Sequence, residues 1–294
     1  MANPVEDDYW GNVRDAWSQA VADANGGFAN RSVTARQEHL PRFGTERIAV
    51  TGMRGAGKSV IYKALVGQTG EHYTKTRESK RVERGRIKIA GAGARLRAKV
   101  SVLPGQRNSK PRQRELERLF RHGNYPLGVI HVANWGFEEV WDPDGRSQIL
   151  KTLDRLGKPR NLSGVCEHLR TTQELEDFIR TSRFLKEAWA GMTDEIWLII
   201  AVAKCDLYWD QIDDVGKYYI PGVDPDNDSP FAAALRLLIE QLDLPKFAVL
   251  PVSCVSDPFE FVGRLRAGSG KFNDEWRTAL TSNLLNTIGG FNEQ

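Results

Sequence analysis

Eight consecutive residues have the types and spacing to do chemistry together. Gly52, Met53, Arg54, Gly55, Ala56, Gly57, Lys58 and Ser59 match G-x-x-x-x-G-K-[ST] with nothing missing. Glycines let backbone N–H groups converge on a polyphosphate, Lys58 can reach its terminal phosphates, and the Ser59 hydroxyl can ligate Mg²⁺. Such a loop works only between a strand and a helix. The apolar run 47–51 supplies the strand, and the helical pattern over 60–65, opening at Val60, supplies the helix and the positive end of its dipole. A nucleoside triphosphate site is the expectation.

Three further clusters follow, each at the end of an apolar run: Val102-Leu103-Pro104-Gly105-Gln106, Ala203-Lys204-Cys205-Asp206 and Ser253-Cys254-Val255. In this order, behind an intact phosphate loop, they resemble the Ras-like GTPases over roughly residues 46–290. In that family the boxes read Asp-x-x-Gly-Gln, Asn-Lys-x-Asp and Ser-Ala-x. The resemblance implies an α/β P-loop NTPase fold with GTP or GDP as ligand and Mg²⁺ as cofactor. It implies that Lys58 and Gln106 serve catalysis, Gln106 by orienting the attacking water. Ser59 and an effector-loop threonine would bind the metal; Thr76 is favoured over Thr74 by its distance from Ser59. Gly105 would sense the terminal phosphate, Lys204 would cover the base with its stem, and Ser253, Cys254 and Val255 would line the base, the Cys254 N–H donating to guanine O6. Asp206 carries the base preference: an in-plane carboxylate accepts from N1–H and N2–H₂ of guanine, whereas adenine has an unprotonated N1 there.

The departures from the pattern bear on chemistry. Val102 stands where the family's Asp holds the water shell of Mg²⁺, and no acidic residue between Arg84 and Lys110 can slide into its place. Weak Mg²⁺ binding and slow, partner-stimulated hydrolysis are therefore expected. Ala203 replaces the Asn that ties the base strand to the phosphate loop, which costs affinity rather than guanine preference. Arg54 either crowds Gln106 or acts as an arginine supplied in cis. The leading expectation is a guanine-nucleotide switch. The alternatives are a pseudo-GTPase scaffold that holds nucleotide without cycling, and an ATPase or kinase on the same phosphate loop.

The elements that must position these residues follow from periodicity. Trp10, Val13, Trp17 and Val21 share one face of a helix over 8–21, expected to pack on its own domain. The alternating runs 86–90 and 95–103, joined by Gly91-Ala92-Gly93, predict a hairpin with one basic face. Further strands are expected at 127–133, 196–203 and 247–252, and helices at 111–122, 231–242 and 273–288. Thr171 and Glu174 have capping-box spacing and predict a helix opening there. Residues 135–170 and the Asp-rich stretch 208–230 read as irregular. The sum is an open, mostly parallel sheet of six strands with one antiparallel edge strand and helices on both faces. Residues 1–42 form a helix and linker, and 43–294 the nucleotide domain, with insertions near 135–190 and 208–230 that would carry contacts to an effector or regulatory protein.

With 294 residues, 40% of them hydrophobic, the chain can bury a full core without staples. Three scattered cysteines point to a reducing compartment, the acidic start has no signal-peptide core, and the longest apolar run, 196–203, is far too short to span a bilayer. A cytoplasmic location is expected. The net charge of +3 hides an asymmetry: residues 75–121 hold sixteen Lys and Arg against four Glu. That basic face suits an acidic protein, nucleic acid or an acidic membrane surface. Cys166 and His168 have no second pair to complete a zinc site. Asp224, Asp226 and Asp228 have the opening spacing of a calcium loop, but Ser229 and Leu235 occupy its glycine and glutamate places.

Overall fold

Apolar runs buried on both faces become the central strands of the main sheet. The computed structural model describes residues 4–25, 34–37, 46–68, 82–91, 94–105, 110–120, 125–138, 143–158, 161–192, 196–223, 227–254, 259–261, 264–266 and 274–291. In chain order the elements are α1 (Pro4–Asn25), β1 (Thr34–Gln37), β2 (Glu46–Gly52), α2 (Lys58–Leu65), β3 (Glu83–Gly91), β4 (Ala94–Val102), α3 (Lys110–Phe120) and β5 (Gly128–Ala133). They continue with α4 (Pro143–Arg155), α5 (Leu162–His168), α6 (Leu175–Trp189), β6 (Trp197–Ala203), α7 (Ile212–Tyr219), α8 (Pro230–Leu242), β7 (Lys246–Val252), a short antiparallel pair β8 (Phe259–Phe261) and β9 (Arg264–Arg266), and α9 (Asp274–Phe291).

The sheet order is β1-β3-β4-β2-β5-β6-β7. The pairs from β4 through β7 are parallel, and β3 runs antiparallel to both β4 and β1. The six expected strands lie in a sheet of seven. The short β1 adds an outer partner to β3, so the antiparallel strand is one place in from the edge rather than on it. Alternation along the strands splits the core into two layers. Trp197, Ile199, Ala201 and Ala203 of β6 face α2 and the end of α9, while Leu198, Ile200 and Val202 face the layer built from α1, α3, α6 and α8. The α1 stripe is part of that second layer: Trp10, Val13 and Trp17 are buried, and the Trp10 ring meets Phe247 of β7 edge-on at 5.4 Å.

Two stretches read as irregular are helical. α4 opens at Pro143, where a fixed φ and a missing N–H suit a first helical turn, so the turn signal there marks a helix start. α5 is capped by Asn161, whose side chain accepts from Gly164 N at 2.8 Å, and it runs through a π-helical turn, Leu169–Glu174, directly into α6. Thr171 and Glu174 therefore lie inside a continuous helix and do not cap one. Thr171 instead donates to the Glu167 carbonyl at 2.8 Å. α6 buries Phe178, Leu185 and Trp189 against the sheet, so the stretch expected as an insertion supplies part of the core. Likewise α7 stands within 208–230 and buries Ile212, Val215 and Tyr219. Among the described residues no helix is long and apolar enough to cross a membrane.

Candidate functional site

The chain leaves β2 at the place where the strand order reverses, with β4 on one side and β5 on the other. In open α/β sheets that crevice, at the carboxyl ends of the strands, is where ligands bind. Gly52 has φ 125°, and a Cβ there would lie 2.4 Å from the Val132 carbonyl oxygen. The backbone then turns through left-handed Gly55 and Gly57 into α2, where the N–H groups of Val60 and Ile61 both donate to Gly57 O at 3.0 Å. Lys58, the first residue of that helix, is buried and folds back over the loop. Its Nζ donates to the carbonyls of Gly52 at 2.9 Å and Met53 at 2.5 Å. Arg54 N donates to Gly105 O at 2.8 Å, which ties the loop to the segment beyond β4. Gly105 has to be glycine on contact grounds: a Cβ would sit 2.5 Å from Lys58 Nζ and 2.4 Å from Arg54 N.

Ser59 donates to Glu83 Oε1 at 2.9 Å. Glu83 opens β3 and stands directly opposite Val102 in the hairpin register, on the face that packs under α2. Burial, then the nearby Glu83 charge, pushes the Tyr62 phenol up. Glu83 lies one residue before the acid-free stretch from Arg84 to Lys110. The signal for it was the hairpin itself, since pairing Gly91 with Ala94 carries the register back to Glu83 and Val102.

At the far end of the crevice, β6 and β7 bring the third and fourth boxes together. Ser253 Oγ donates to Asp206 Oδ1 at 2.8 Å, and both residues are buried. Burial pushes the Asp206 carboxyl up to about 6, with the Ser253 hydrogen bond and the Lys204 charge pulling the other way. Lys204 takes a left-handed φ of 62° and reaches back so that its Nζ donates to Phe137 O at 2.7 Å. Burial pushes the neighbouring Cys254 thiol up to about 12. Ala203 faces the phosphate loop, and a Cβ on Gly57 would lie 3.8 Å from its own.

Between the two ends lies a cluster that composition and spacing gave no reason to suspect. Asn134 N donates to Glu174 Oε2 at 2.7 Å, the Tyr219 hydroxyl donates to Glu174 Oε1, and Trp135 N donates to the Tyr219 hydroxyl at 2.9 Å. With its amide nitrogen toward the carboxylates, Asn134 also donates to Glu138 Oε1 at 2.8 Å. Burial raises both Glu138 and Glu174, and the neighbouring Glu174 charge raises Glu138 further. Glu138 thus keeps its proton where an exposed carboxyl would have lost it. The π-helical turn delivers Glu174, and Arg170 on the same turn lies 3.6 Å over the Trp135 ring. Trp135 is the second non-glycine residue of the site with positive φ, at 57°, a costly conformation for a bulky side chain.

The structure therefore gathers Gly52, Met53, Arg54, Gly55, Ala56, Gly57, Lys58, Ser59, Val60 and Gly105 at one end, and Lys204, Asp206, Ser253 and Cys254 at the other. Gln106, Thr74, Thr76 and Val255 lie outside the described residues, as do Asp224 and Asp226. Asp228 has structural partners: its Oδ1 accepts from Gly222 N at 3.0 Å and its Oδ2 pairs with Arg236 at 2.7 Å. Among the described residues no group of three His, Cys, Asp or Glu side chains is gathered to hold a metal ion. Ser59 with Glu83 and a ligand's phosphate oxygens would form the hard-oxygen set that suits Mg²⁺. No protein-family profile matches the chain, and no curated protein matches it in sequence.

Proposed function

We propose that this protein is a Ras-like, P-loop guanine-nucleotide-binding switch. One observation carries the reading: the glycine loop at the end of β2 and the Asp206–Ser253 pair at the ends of β6 and β7 open onto the same edge of the sheet, with Ala203 3.8 Å from where a Cβ on Gly57 would lie. Polyphosphate would lie along the N–H groups of the loop and the start of α2. Lys58, now on the Gly52 and Met53 carbonyls, would exchange them for terminal phosphate oxygens. Asp206 reads N1–H and N2–H₂ of guanine, its orientation fixed by Ser253. Lys204, held on the Phe137 carbonyl, lays its stem along the base.

Ser59, with Glu83 beside it, would hold Mg²⁺, which neutralises charge on the β- and γ-phosphates when bound. Gln106 orients water for hydrolysis, and with Val102 in the acid's usual place turnover is slow without a partner. That partner is an effector or regulatory protein. The basic side of the β3–β4 hairpin, where Arg86 stands opposite Lys99 and Lys88 opposite Arg97, suits an acidic surface on it. Three buried free thiols fit a reducing, cytoplasmic setting.

A second reading, a scaffold that binds nucleotide without cycling, is favoured by the buried Val102. Identifying the nucleotide released on denaturation, followed by GTP and ATP titrations, tests both. Bound GDP or GTP, with GTP preferred in titration, supports the switch and the scaffold alike, and turnover separates them. Bound ADP or ATP overturns the guanine reading, and no titratable binding overturns both.

A further inference from the structure

The acid missing at Val102 has a counterpart on the next strand. Glu83 is the cross-strand neighbour of Val102 and shares its face of the sheet, and its Oε1 accepts from the Ser59 hydroxyl at 2.9 Å. Directly opposed residues of an antiparallel pair hold their Cβ atoms about 5 Å apart, so a longer side chain from β3 can serve the space that a shorter one from β4 would serve. A serine that donates its proton to a carboxylate keeps its oxygen lone pairs for a cation. Glu83 is half-buried, with a second carboxylate oxygen beyond the one on Ser59, and it stands at the rim of the loop that Lys58 covers. Mg²⁺ sites that use substrate phosphates need one or two carboxylates, held directly or through water.

We infer that Glu83 is the carboxylate that organises Mg²⁺ at this site, supplied from β3 in place of the acid that β4 lacks. The inference rests on the nucleotide-binding reading above and revises its expectation of weak Mg²⁺ binding. A merely structural Glu83 would need only to accept the Ser59 hydrogen bond, and glutamine does that equally well. The charge is what a cation requires.

The test uses the full chain and fluorescent N-methylanthraniloyl-GDP, with affinity measured in EDTA and across a Mg²⁺ titration. In the wild type, Mg²⁺ tightens nucleotide binding. Glu83→Gln leaves the EDTA affinity equal or tighter, since one negative charge beside the phosphates is gone, and raises the half-saturating Mg²⁺ concentration about 10- to 100-fold. Binding retained in EDTA is its own control for folding. An unaltered Mg²⁺ response in Glu83→Gln, or a wild type indifferent to Mg²⁺, overturns the inference while the nucleotide reading stands. A wild type that binds no guanine nucleotide in either condition overturns both. If Glu83→Gln does not fold, Glu83→Asp decides, since it keeps the charge but draws it back by one methylene. A raised half-saturating Mg²⁺ supports the inference, and an unchanged one overturns it.

Discussion

The two ends of the crevice are built from different materials. The phosphate end is mostly backbone: three glycines with positive φ, a chain of main-chain contacts, and Lys58 resting on its own loop. The opposite end and the cluster between the two are mostly buried side chains: Ser253 is hydrogen-bonded to Asp206, Tyr219 and Asn134 to Glu174, and burial displaces the Asp206, Glu138 and Glu174 carboxyls upward in pKa. A backbone cradle tolerates loss of a side chain without unfolding but is intolerant of an added Cβ. A buried polar network behaves the other way, because each group removed strands its partners.

The largest separation should come from Glu174→Ala. It strands the Tyr219 hydroxyl, Asn134 N and Glu138 in the core, so it should cost about 3–5 kcal/mol in urea unfolding. A loss under about 1 kcal/mol would show that the network between the two ends does not hold this part of the core together. Lys58→Ala should do the reverse, leaving the urea midpoint nearly unchanged while weakening nucleotide binding roughly 100-fold, the effect of losing a charged hydrogen-bond donor.

Asp206 sharpens the comparison through pH. Its folded pKa of about 6 lies above the ordinary 3.8, so the penalty is absent below about 4 and complete above about 6. Ionising it therefore lowers stability by roughly 3 kcal/mol as pH rises through that window. Guanine recognition needs the ionised form, so GTP affinity should fall as pH drops below about 6. Asp206→Asn should flatten both profiles; unfolding and binding measured from pH 4 to 8 check this.

Gly105→Ala should push the Arg54 backbone and Lys58 Nζ off their positions, weakening nucleotide binding roughly tenfold, about 1.4 kcal/mol, and lowering the urea midpoint as well. Nucleotide titration beside a urea curve separates the two effects. Ser253→Ala is the smallest change, about 1 kcal/mol for one buried hydrogen bond, and should move the Asp206 carboxyl further up when followed by NMR.

This contrast also explains what was legible beforehand. The phosphate loop is contiguous, so Gly52 through Ser59 could be read as one word, and the period-two alternation of the hairpin announced its buried and basic sides. Lys204, Asp206 and Ser253 were legible because each follows a strongly apolar strand, and parallel strands present their ends at one edge. The helices α4 and α7 were not, since Asp142-Pro143 and the Asp-rich stretch carry the same residues that turns use.

By itself the sequence determined six of the sheet's seven strands, the glycine-rich loop that follows β2, and the place of Lys204 and Asp206 just beyond β6. These depend on near neighbours, on period and on spacing along the chain. Only the tertiary structure decided that Glu83 meets Ser59, that Glu174 is delivered by a π-helical turn to Asn134 and Tyr219, and that Lys204 is held by Phe137. Those pairs lie between 24 and 67 residues apart, and no local preference encodes them. They arise because burying both faces of one sheet leaves each polar group that enters the interior only a few partners within reach.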